Sequence, residues 1–77
     1  MYERFDATFL AVLADAEGTS LTAARLAERG ADPFAAPRVQ EWLDEAFHRG
    51  LVHVRRQADL PSEWWLTPKG RRAARKG

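Results

Sequence analysis

With 77 residues the chain has material for one domain and not two, near the lower size at which a single core holds unaided. It contains no cysteine, which excludes disulfides, thiolate metal ligands and thiol catalysis and leaves core packing to hold the fold. The net charge of +1 hides a strong asymmetry: residues 1–47 carry four Arg against nine acids, 4 − 9 = −5, and residues 48–77 carry eight Lys or Arg against two acids, 8 − 2 = +6.

From Glu3 to Ala16 the apolar residues Phe5, Phe9, Leu10, Val12 and Leu13 recur at helical spacing and predict an amphipathic first helix that supports the core. Asp15 to Gly18 close it, and Thr19 and Ser20 form the link. A second helix starts at Thr22, a good N-cap, with Leu21 and Leu26 at the two positions of a hydrophobic staple, and runs to about Arg29 before Gly30.

The join that follows, residues 30–37, is longer than the three or four residues of a tight helix-turn-helix. Pro37 at the first position of helix three is the simplest account, with Asp32 and Pro33 starting a separate turn and Phe34 tucked into the core. The alternative has Asp32 capping one longer helix, with Pro37 at a position where its missing N–H would be felt. In helix three Val39, Trp42, Leu43, Ala46 and Phe47 share an inward face, and Gln40, Glu41, Asp44, Glu45 and His48 the outward one. Gly50 is the stop, and Leu51 folds back on the last turn.

Beyond Gly50 the period switches from 3.6 to 2. Val52 and Val54 face one way and His53 and Arg55 the other. After a turn-rich gap at residues 57–62, Glu63 to Leu66 is again strand-like, so the two runs predict an antiparallel hairpin. Trp64 and Leu66 share its inner face, and Trp65 points outward. Thr67 then caps a short fourth helix with Pro68 at its first position, ending in a basic tail that is expected to fray.

The string Gly50, Leu51, Val52, a polar and basic turn, then Trp64, Leu66, Thr67, Lys69 and Gly70 resembles the end of winged helix-turn-helix domains of the MarR and PadR regulator types. The segment LTAARLAERG, residues 21–30, resembles the first helix of their helix-turn-helix pair, with Arg25 where a capping-box glutamate is usual. The resemblance implies an α+β, mainly α, fold: a three-helix core, a two-stranded wing and a short C-terminal helix, with the helix before Gly50 as the recognition helix. It implies double-stranded DNA as the partner. Such regulators dimerise through long terminal helices. Here only about ten residues follow Thr67, so a monomer and a homodimer built on helix one around Tyr2 and Phe5 both stay open.

A domain that binds DNA needs an exposed helix for the major groove and basic groups to fix it on phosphates. The candidates are Arg38, Gln40 and Arg49 on helix three, Arg55 and Arg56 on the first hairpin strand, and Lys69, Arg71 and Arg72 on the fourth helix. Against deep insertion stand Glu41, Asp44 and Glu45, so the hairpin is the stronger contact. For each single arginine the plain reading, a solvated surface residue, weighs about as much.

A second hypothesis is a protein-binding module using Trp65 and the acidic face of helix three. An enzyme is disfavoured: there is no phosphate loop or nucleophile motif, and His48 and His53 lack carboxylates at metal-ligand spacing, so no catalytic residue, metal or cofactor is assigned. No apolar run approaches the roughly 20 residues that span a bilayer, and the N-terminus lacks a signal-peptide layout, so the expectation is a soluble, cytoplasmic protein with no membrane partner.

Overall fold

The computed structural model describes residues 2–30 and 32–76; Met1, Ala31, Gly77 and the side chain of Tyr2 lie outside the description, and with them the Tyr2 part of the pairing surface considered above. A 3-10 turn, Tyr2–Phe5, leads into α1 (Asp6–Asp15), followed by β1 (Leu21–Thr22), α2 (Ala23–Gly30), a second 3-10 turn (Ala36–Arg38), α3 (Val39–His48), β2 (Val52–Arg55), β3 (Glu63–Leu66) and α4 (Pro68–Lys76). The result is a small, mainly helical α+β fold with an antiparallel sheet in the order β1-β3-β2.

Where the sequence predicts a two-stranded hairpin, the sheet has a third strand. Leu21 pairs with Trp64 and Thr22 with Glu63. The cause is local. A residue at a helix N-cap takes an extended backbone, and Thr22 does cap α2, its Oγ1 accepting from the Arg25 N–H at 3.2 Å. The extended pair then supplies the hydrogen-bonding edge that β3 would otherwise expose. Within the hairpin, Val52 faces Leu66 and Val54 faces Trp64, while His53 faces Trp65 and Arg55 faces Glu63 on the opposite side.

Phe9, Leu26, Trp42, Leu43 and Val52 are the largest fully buried side chains. Each aliphatic or phenyl group among them contributes about 2–3 kcal/mol by leaving water. The Phe9 and Trp42 rings pack with centroids 5.1 Å apart, which fixes α1 against α3. The Trp42 indole N–H is kept satisfied by donating to Asp6 Oδ1 at 2.8 Å.

The end of α3, the start of β2 and the start of α4 form one junction. Gly50, at φ +76°, turns the chain out of α3. Its N–H donates to the Phe47 carbonyl at 3.0 Å and that of Leu51 to the Ala46 carbonyl at 2.9 Å, the paired bonds of a Schellman stop. Thr67 closes the other side: its N–H donates to the Leu51 carbonyl at 3.0 Å, its hydroxyl to the Gly50 carbonyl at 2.6 Å, and its Oγ1 accepts from the Gly70 N–H at 2.9 Å as the cap of α4. Gly70 is buried so tightly that a Cβ there would collide with the Leu51 carbonyl oxygen and lie 3.0 Å from Leu66 Cδ2.

Several expectations for the α2–α3 region are corrected. Phe34 is not in the core but 82% exposed, and Ala35 takes the inward position. Asp32 Oδ1 accepts from the N–H groups of Phe34 and Ala35 at 2.9 and 3.3 Å, and this turn directs Ala35 inward and Phe34 out. Pro37 lies in the 3-10 turn, and α3 begins two residues later at Val39. Phe47, assigned to the inner face, is 45% exposed, and Glu45, assigned to the outer face, is half-buried with Oε1 lacking a partner among the described residues. At about 100° per residue these two flank the arc from Trp42 to Leu43 on opposite shoulders, where apolarity alone does not decide burial.

Candidate nucleic-acid interface

Three of the candidate cations are held by the protein's own carboxylates. Arg49 grips Asp6 with two bonds, Nη1 to Oδ1 at 3.0 Å and Nη2 to Oδ2 at 2.8 Å. Arg55 pairs with Glu63 across the hairpin, and Glu63 also accepts from the Ser20 hydroxyl at 2.8 Å. Arg71 lies 3.5 Å from Glu17. Gln40, the candidate base reader, donates its amide to Asp44 Oδ1 at 3.0 Å.

Burial alone would raise the Asp6 carboxyl, but the hydrogen bonds from Arg49 and Trp42 and the Arg49 charge outweigh it and hold Asp6 below its ordinary range. Glu63 is likewise held low, by the Ser20 hydroxyl first and by Arg55 second. Asp6 therefore ties α1 to both Trp42 and the C-terminal end of α3, which makes Arg49 a structural residue as well as a candidate contact.

Arg38, Arg56, Lys69 and Arg72 are exposed and pair with no carboxylate among the described residues. Arg38 stands at the entry to α3 and Arg56 just beyond β2. Lys69 and Arg72 line a shallow groove of about 380 Å³ with Arg49, Leu51, Ala73 and Lys76, and no acid among the described residues lines it. Lys76, in the basic tail, lies within α4, and its i+7 spacing from Lys69 is the sequence signal that places it on this face.

The outer face of the hairpin differs. Trp65, 37% exposed, packs against His53 with ring centroids 5.6 Å apart. It borders a larger open concavity, about 670 Å³, in which Arg55 and Arg71 are balanced by Glu17 and Glu63. The exposed face of α3 carries Glu41, Asp44 and His48, and the His48 Nδ1 is 2.8 Å from the Asp44 carbonyl.

Among the described residues no cluster of His, Asp or Glu side chains is arranged to hold a metal ion, and no helix is long and apolar enough to cross a membrane. No protein-family model, curated protein or solved structure matches the chain.

Proposed function

We propose that this chain is a winged helix-turn-helix domain that binds duplex DNA, with a role in transcriptional control and no catalytic activity. The element order α1-β1-α2-α3-β2-β3-α4 supports that reading of the fold, with the β2–β3 hairpin as the wing. The motif residues Gly50, Leu51, Leu66, Thr67 and Gly70 also meet at one junction, so their spacing has a common physical cause.

The observation that carries the DNA reading is that, of the candidate contacts, Arg38, Arg56, Lys69 and Arg72 are exposed and pair with no carboxylate among the described residues, while Arg49, Arg55 and Arg71 are held by internal carboxylates. Unpaired guanidinium and ammonium groups can neutralise phosphates and so release the cations condensed on a polyanion; paired ones must first give up a carboxylate, which offsets that gain. Arg49, Arg55, Arg71 and Gln40 are therefore secondary contacts, since a phosphate or base must displace a carboxylate to reach them.

The test is an electrophoretic shift with mixed genomic duplex fragments across a salt series. Replacing Arg55 and Arg56 together by Gln should weaken binding and reduce the log–log salt slope by about 1 to 2. Unchanged affinity would remove the hairpin as a contact.

A second reading, a protein-binding module, is favoured by one feature: Trp65 and Phe47 are both partly exposed, and the latter flanks the acidic face of α3. It predicts no duplex binding even in dilute salt and loss of a protein complex on Trp65→Ala.

A further inference from the structure

The cations of α4 are arranged as a row. Lys69, Arg72 and Lys76 stand at i, i+3 and i+7, within an arc of about 60° on one helix face and spread over about 10 Å of its axis. All three are exposed and border the same groove, whose floor is Leu51 and Ala73. Arg49 stands at its edge, already neutralised by Asp6. On its other side Lys76 shares a separate open cavity with Glu3 and Asp6, whereas Lys69 and Arg72 border the groove that no acid among the described residues lines.

The face of α3 is the opposite case. From Val39 to His48 it contains no Lys or Arg to read a guanine, its single amide is tied to Asp44, and Glu41 and Asp44 would meet the phosphates lining a major groove. A duplex presents one phosphate per about 3.4 Å of axis on each strand, and flexible Lys and Arg stems spread over about 10 Å are on the scale of two or three successive phosphates of one strand.

We infer that the α4 groove is a track for the sugar–phosphate backbone, and that the protein holds duplex DNA by its phosphates with little regard to base sequence while α3 stays outside the major groove. This rests on the DNA-binding reading above and specifies its mode. Phosphate contacts fix position and orientation but carry no sequence information by themselves.

The experiment compares the wild-type chain with the triple variant Lys69→Gln, Arg72→Gln, Lys76→Gln. All three side chains are exposed, and circular dichroism checks that the variant keeps its fold. Binding to two labelled duplexes of unrelated sequence is followed by anisotropy across a salt series, and chemical-shift perturbation by inorganic tripolyphosphate is recorded in parallel. The expected result is near-equal affinity for the two duplexes, within about threefold, and a slope reduced by about 3 in the triple variant on both.

Duplex binding with an unchanged slope in the triple variant overturns the α4 track and leaves the DNA-binding reading standing. A preference of a hundredfold or more for one duplex overturns sequence independence. No duplex binding by the wild type overturns both readings; if tripolyphosphate then still shifts Lys69, Arg72 and Lys76, the groove takes free phosphate instead of a nucleic-acid backbone.

Discussion

Helices α3 and α4 are near-equal in length and opposite in use. α3 buries Trp42, Leu43 and Ala46 and presents Gln40, Glu41 and Asp44 to solvent; α4 buries only Gly70, rests Ala73 and Ala74 on the core, and presents Lys69, Arg72, Arg75 and Lys76. A helix anchored by large side chains is positioned by the core itself. One anchored by glycine and alanine has little apolar area to bury, and its placement depends on close packing along α1 together with backbone contacts at its first turn. The comparison separates a helix that builds the protein from one that furnishes its charged surface.

The most severe way to break this division is Gly70→Ala. The added methyl has no room beside the Leu51 carbonyl, so α4 must lift from the junction and carry Thr67 with it. A loss of about 3 kcal/mol is expected from the urea midpoint, at the upper end of overpacking costs. A loss below about 1 kcal/mol would mean that α4 shifts freely and is not held at that point.

Next in size is Asp6→Asn, which cuts the tie from α1 to α3. Hydrogen bonds to charged groups contribute up to about 3 kcal/mol, and with a third of the Arg49 side chain still in water the expected loss is about 2 kcal/mol at neutral pH. The folded Asp6 carboxyl is held low, so its contribution is complete above the ordinary aspartate value near 4 and declines as pH falls through the folded value below that. Wild type should therefore lose stability on acidification below about pH 4 more steeply than Asp6→Asn, and parallel acid limbs would assign the dependence to other carboxylates.

The smallest effect sharpens the contrast on the functional side. Glu41→Gln with Asp44→Asn removes two negative charges from α3. On the proposed backbone-tracking mode that face lies outside the groove and is screened by salt, so duplex affinity should rise by no more than about threefold. A gain above tenfold, read in the same anisotropy assay, would bring α3 against the phosphates.

Much of the fold is legible where its causes are local. The Gly50 stop with Leu51 folding back, the caps at Thr22 and Thr67, and the alternation that separates Trp64 from Trp65 each depend on residues within a few positions of one another. The two-residue β1 was not legible, because Leu21 and Thr22 become a strand only when Trp64 and Glu63 lie beside them. Phe34 misled for a related reason. Its apolarity argues for the core, whereas the Asp32 turn, decided by geometry, delivers Ala35 there instead.

For the candidate interface, the basic end was visible in composition, but which cations remain unpaired was not. Arg49 finds its carboxylate 43 positions away, and Glu63, the partner of Arg55, is braced by Ser20 at the same separation. No periodicity encodes such pairs.

Those long separations also bear on how the protein forms. Residues near position 20 cannot complete the sheet until those near 64 have emerged from the ribosome, and Trp42 cannot exchange water for a protein acceptor at its indole until it meets the start of α1. Closing loops of this span sets a barrier that local helix formation does not lower. Fragments ending ahead of β3 should therefore remain unfolded chains, and the domain should assemble late, in one cooperative step.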